Sequence, residues 1–167
     1  YGFDRKGFRY GIEAARALDL PITIVGTDAN MKFFDIHSDL KSYDKLDLRC
    51  YNPTEEELLN IYHEHTIFLH PSMLEAGHPN LTLMECASVC MPIVATYNGS
   101  MEIKGLFRLT EIKTDLVIEG IKQIMSNYLP TIIEMSSVRE KYDWKNVCNQ
   151  LNKNYEAVSK FHHKNSD

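Results

Sequence analysis

The chain has 167 residues, 44% of them apolar and 25% charged, with a formal net charge of -5. That is the balance of a globular domain rather than a disordered or fibrous chain, and it predicts a single domain over residues 1–167 with a real core. No apolar run reaches the roughly 18 residues of a membrane span, and the 18 Lys and Arg are scattered along an acidic chain, which argues against the basic face that nucleic-acid binding needs.

Cys50, Cys86, Cys90 and Cys148 form no CxxC pair and no metal-finger spacing. They are expected as buried thiols in a reducing, cytoplasmic compartment. The sequence opens on "YGFDRKGF" with neither Met nor a signal peptide, and is expected to be part of a longer protein.

In chain order, "KGFRYGIEAARALDL" places Phe8, Ile12, Ala15 and Leu18 at helical intervals, with Pro21 closing the connection. "ITIVGT" follows as a strand, apolar as in a sheet covered on both faces. Residues 28 to 45 read either as a short helix or as loop, with Phe33 and Phe34, like Tyr10 before them, expected to pack. "LDLRCY" is a strand, and "NPTEEELLNIYHEH" is a helix whose Thr54 and Glu57 have capping-box spacing. "TIFLHPS" is a buried strand, a helix runs from about Leu81 to Val89, and "PIVAT" is the next strand. Residues 103 to 113 show no clear pattern. Thr114 or Asp115 should cap a helix through "LVIEGIKQIMSNYL", stopped by Pro130, and a last helix from Asp143 or Trp144 aligns Val147, Leu151, Tyr155 and Val158. This alternation predicts a Rossmann-like three-layer α/β/α domain with a parallel sheet, whose ligands sit beyond the carboxyl ends of the strands.

Two constellations stand at that edge. Arg5 and Lys6 precede a helix whose start has the flexible Gly7, joining fixed positive charge to a helix N-terminus where a diphosphate would be held; the plainer alternative is a solvated basic pair. In "EAGHPNLTLME", Gly77 and Pro79 bend the chain and Asn80 can cap the next helix. The amides around Gly77 to Thr82 are then turned toward an anion. Glu85 can accept from two hydroxyls of a ribose, and Glu75 could do the same for a sugar; exposed surface acids are the alternative. Glu102 is a third acid, equally explained by a surface salt bridge. His63 and His65 lie two apart and so on different helix faces, unlike HExxH, and with His70 they are not read as a metal site. His78 lies inside the candidate loop and is a more credible polar contact.

Together "DRKGFRYGIEAARAL", "LDLRCYNPTEEELLNIYHEHTIFLHPSMLEAG", "MECASVCMPIVATYNGSMEI" and "KYDWKNVCNQLNKNYEAV" resemble, in order, the segments of the C-terminal, donor-binding half of retaining GT-B glycosyltransferases of family four, also known as group 1. The resemblance implies that Arg5 and Lys6 neutralise a nucleotide diphosphate, that Glu85 holds the ribose and that Glu75 faces the transferred sugar. The loop amides from Gly77 and His78 through Asn80, Leu81 and Thr82 would meet the phosphates and sugar. One departure is plain: Glu75 and Glu85 stand farther apart than the family's paired glutamates, and the usual place of the first acid falls on Gly77.

The implied donor is a UDP- or GDP-linked sugar, with no cofactor and no metal. The implied acceptor is a sugar or glycoconjugate held by an N-terminal domain outside this chain, and peripheral membrane association of the full protein is compatible with this. A catalytically inactive binding or scaffold module of the same fold is the alternative. A nicotinamide oxidoreductase lacks support, because no G-x-G-x-x-G follows a strand.

Overall fold

The computed structural model describes residues 5–27, 32–73, 80–97, 99 and 102–164. Helix α1 (Phe8–Ala17) buries Gly11, Ile12, Ala14 and Ala15, one stripe of its surface. It starts from Gly7, whose φ of 70° is left-handed. A side chain is excluded there: an ideal Cβ would lie 2.0 Å from the Pro71 carbonyl oxygen, so glycine is the residue that fits. Strand β1 (Ile22–Gly26) follows, then two single-turn helices, α2 (Phe33–Ile36) and α3 (Ser38–Lys41), in the stretch where the sequence left helix and loop open. Phe34 and Leu40 fold back to join Ile12, Ile24 and Tyr43 in one apolar cluster.

Strand β2 (Leu46–Cys50) pairs in parallel with β1, Ile22 opposite Leu46 through Gly26 opposite Cys50. Helix α4 (Glu55–Glu64) carries the expected capping box: the Glu57 amide donates to Thr54 Oγ1 at 3.3 Å, and the Thr54 amide donates to Glu57 Oε2 at 2.7 Å. These bonds hold the Glu57 carboxyl below its ordinary range. Strand β3 (Phe68–His70), helix α5 (Leu81–Ser88), strand β4 (Ile93–Ala95) and strand β5 (Leu106–Arg108) complete the parallel ladders, with β4 between β3 and β5. Helices α6 (Thr114–Ser126), α7 (Tyr128–Lys141) and α8 (Trp144–Lys164) close the chain. Gly120 lets α6 approach the sheet, since a Cβ there would fall 2.6 Å from Phe107 and 2.9 Å from Val94. No described helix is long and apolar enough to cross a membrane.

Several expectations are corrected. Pro130 does not end a helix; it stands in the first turn of α7, where the missing N–H would have had no intrahelical partner. Residues 103 to 113 contain β5. Neither Thr114 nor Asp115 caps α6: the cap position is Lys113 with no side-chain bond, and the Thr114 hydroxyl instead donates to Glu13 Oε2 at 2.7 Å, tying α6 to α1. Of the four cysteines Cys86 is buried and Cys90 half-buried, whereas Cys50 and Cys148 are exposed because β2 ends at the surface and the Cys148 side of α8 faces outward. The expected α/β fold with parallel strands is present; among the described residues those strands run as β1-β2 and β3-β4-β5.

Candidate functional site

The two halves of the candidate site come from the starts of α1 and α5. The chain entering α1 is anchored to the end of β3, where the Arg5 carbonyl accepts from the Met73 amide at 2.7 Å and from Ser72 Oγ at 3.2 Å. Ser72 is in turn fixed by Thr96 beyond β4, whose hydroxyl donates to the Ser72 carbonyl. The segments that enter α1, leave β3 and leave β4 are thereby tied together. This leaves Arg5 exposed and Lys6 half-buried beside α1.

At α5, Asn80 acts as the cap: its Oδ1 accepts from the Thr82 amide at 3.0 Å, and its amide nitrogen lies 3.2 Å from His70 Nε2. One turn on, Glu85 Oε2 accepts a 2.8 Å hydrogen bond from the Tyr62 hydroxyl of α4. Burial, with Cys86 and Glu85 beside it, pushes the Tyr62 phenol well above its ordinary pKa, so it remains a donor and Glu85 the acceptor. Burial likewise raises the Cys86 thiol, with the Glu85 charge adding to it. The Tyr62 ring meets Phe68 edge-on at 6.3 Å, and Phe68 stacks on His70 at 5.9 Å. Tyr62, Phe68 and His70 therefore form a rigid wall linking the carboxylate of Glu85 to the cap of Asn80.

Arg5, Lys6, Thr82 and Glu85 all line one cleft of about 790 Å³, with Tyr62 and His70 in the same wall. The expected gathering of basic pair and helix acid is present. Asn80 stands behind the cleft as a cap, and Leu81, exposed at the start of α5, does not face it. Glu75, Gly77 and His78 lie outside the described residues. Tyr62 is the site residue that sequence reasoning passed over; the signal was a tyrosine late in a capped helix, but its partner Glu85 is 23 residues away.

No protein-family model matches the sequence, and no curated protein matches it. Three solved structures resemble it in fold. WaaG, a glycosyltransferase involved in lipopolysaccharide biosynthesis, superposes with a TM-score of 0.65 at 18% identity, over 86% of this chain and 40% of its own. The C-terminal domain of LpcC, a glycosyl transferase group 1 family protein from Francisella tularensis, gives 0.65 at 14%, over 83% and 78%. HepE from Anabaena, solved in complex with UDP and glucose, gives 0.70 at 13%, over 92% and 45%. The chain carries the fold of the C-terminal half of a GT-B glycosyltransferase. It spans less than half the length of WaaG and of HepE. In that Rossmann-like frame the cleft opens where α1 and α5 begin, the edge at which α/β sheets bind ligands.

Proposed function

We propose that the chain is the donor-binding part of a retaining glycosyltransferase, one that moves a hexose from a UDP- or GDP-linked sugar to an acceptor held by a second domain. The observation that carries this reading is the convergence of Arg5, Lys6, Thr82 and Glu85 on one cleft within a GT-B C-terminal fold. HepE, which shares that fold, holds UDP and glucose.

When the bond between the anomeric carbon and the phosphate oxygen breaks, its electron pair stays on the nucleoside diphosphate. In this reading Arg5, Lys6 and the amides opening α5 meet that growing charge, which lowers the barrier without requiring a metal. Glu85, steadied by Tyr62, has acceptor capacity left for the two hydroxyls of the ribose. Glu75 is assigned to the transferred sugar, and the amides of Gly77 and His78 to the phosphates. The protein would work on the cytoplasmic side, where nucleotide sugars are its partners.

Calorimetric titration with UDP and with GDP tests this on the full-length protein. Replacing Arg5 and Lys6 together by Ala should weaken nucleoside diphosphate binding by at least about tenfold, since hydrogen bonds to charged groups contribute roughly 1.5–3 kcal/mol each. Unchanged affinity removes both residues from the site. The wider spacing of Glu75 and Glu85 favours one second reading, an inactive module of the same fold. Full-length protein that binds donor yet transfers no sugar, with and without Glu85→Ala, would select it.

A further inference from the structure

Asn80 links the end of β3 to the start of α5. Its Oδ1 accepts from the Thr82 amide at 3.0 Å, which fixes the orientation of the side-chain amide and leaves its NH2 group 3.2 Å from His70 Nε2. An amide NH2 group can only donate, so Nε2 is the acceptor and the ring is the neutral tautomer with its proton on Nδ1. The ring has little freedom: His70 is 8% exposed, Phe68 stacks on it at 5.9 Å, and the His70 carbonyl accepts from the Thr96 amide at 3.2 Å. A neutral imidazole thus holds the side chain that caps α5.

We propose that His70 is a positioning residue for the donor and makes its binding sensitive to acid, a role that rests on the assignment of the α5 amides to the donor diphosphate. While neutral, His70 locks the Asn80 cap and with it the first amides of α5. A proton taken from solvent onto Nε2 sets two donors against each other. The Asn80 amide must then turn over, so that Oδ1 accepts from the imidazolium, or swing away, because the stacked and buried ring cannot yield. Either way the Thr82 amide loses its acceptor and the cap is released. Thr82 and His70 line the same cleft as Arg5, Lys6 and Glu85, so the change is made at the site itself.

The other ionisable groups around the ring differ in kind. α4 brings Tyr62, whose ring meets Phe68. α5 brings Glu85 and Cys86, both beside the Tyr62 hydroxyl. The chain entering α1 brings Arg5 and Lys6 to the cleft, and β4 places Ala95 opposite His70. None of these is a histidine, the side chain whose ordinary range falls within about pH 5 to 8. His65 also lines the cleft, its ring nitrogens 2.6 Å from the Ile61 carbonyl and 2.7 Å from the Thr23 hydroxyl. His70→Gln separates the two histidines, because it leaves His65 in place and offers Asn80 an acceptor that does not titrate.

Nuclear magnetic resonance of the full-length protein, isotopically labelled in histidine and threonine, reads the relay with no donor present. Between about pH 7.5 and about pH 5.5 His70 Nε2 should gain its proton and the Thr82 amide resonance should move with the same midpoint, whereas in His70→Gln the Thr82 amide should stay where it is. A Thr82 amide that is stationary while His70 titrates, or a His70 that takes up no proton over this range, overturns the proposal. Calorimetry with UDP-glucose and GDP-glucose, whose diphosphates have no terminal phosphate to titrate, reads the consequence. Affinity should fall about fivefold over the same range, the scale of one lost cap, and less than about twofold in His70→Gln. Affinity that rises in acid would mean that the imidazolium meets the diphosphate directly, and affinity indifferent to the Thr82 change would mean that the cap does not position the donor; both overturn the role. If neither sugar nucleotide binds at any pH, the donor reading fails and the positioning role with it, while the Thr82 resonance still decides the relay.

Discussion

The two sheets are built from similar sequence but packed differently. Ile93, Val94 and Ala95 of β4 are each fully buried, with β3 and β5 on either side and α6 drawn close by Gly120. Of the residues in β1 and β2 only Ile24 is buried, and β2 carries Asp47 and Arg49, paired with each other at 2.8 Å at the surface. One half is a finished core; the other has one face on the cleft. The candidate site uses both, taking its cations from the chain entering the open half and its carboxylate from the helix packed on the closed half.

Truncating one isoleucine in each half is the largest test of that difference. Ile93→Ala leaves a closed cavity in rigid surroundings and should cost about 4 kcal/mol, whereas Ile24→Ala enlarges a cleft that already exists and should cost about 2 kcal/mol. Urea denaturation of the two variants gives both numbers. Equal costs would mean that β1 is packed as completely as β4.

The joint between the halves is tested by Gly7→Ala. A left-handed φ of 70° disfavours any Cβ by roughly 1–2 kcal/mol, and crowding the Pro71 carbonyl brings the expected loss to about 3 kcal/mol. Because Arg5 hangs from the same junction through Met73, nucleoside diphosphate affinity should fall in parallel. A stability loss below about 1 kcal/mol, measured by the same denaturation, would show that α1 and β3 are not tightly abutted.

What could be read from sequence divides along local and distant lines. The capping box of Thr54 and Glu57, the apolar strands and the helical stripe of α1 depend on residues within a few positions of one another, and all are present. α7 was hidden by Pro130, whose tolerance depends on standing in a first turn, a position known only once the helix start is known. β5 is as short as β3 and β4 but lies in no apolar run, since Lys104 and Gly105 precede it and it ends on Arg108, so nothing marks it. The shared cleft of Arg5, Lys6 and Glu85 followed from the rule that strand ends gather, but the Tyr62–Glu85 bond comes from tertiary packing that no short window contains.

Raising the pH separates the halves more gently. Burial lifts the Cys86 thiol above its ordinary 9.0, and lifts the phenols of Tyr62 and Tyr43 above 10.0. Tyr43 belongs to the open half, where its hydroxyl donates to the Ala15 and Leu20 carbonyls. For each group the folded chain keeps a proton that the unfolded chain gives up, so fewer protons are bound in the unfolded state and stability falls as pH rises. The loss from Cys86 begins near pH 9.0, in the closed half, and that from the two tyrosines near pH 10.0. Each group contributes at most about 1.4 kcal/mol per pH unit. Cys86→Ala should therefore flatten the stability profile between these two values while leaving the steeper fall above them, and Tyr43→Phe should do the reverse. A profile that Cys86→Ala leaves unchanged would show that the thiol is not held in the dry interior where the closed half places it.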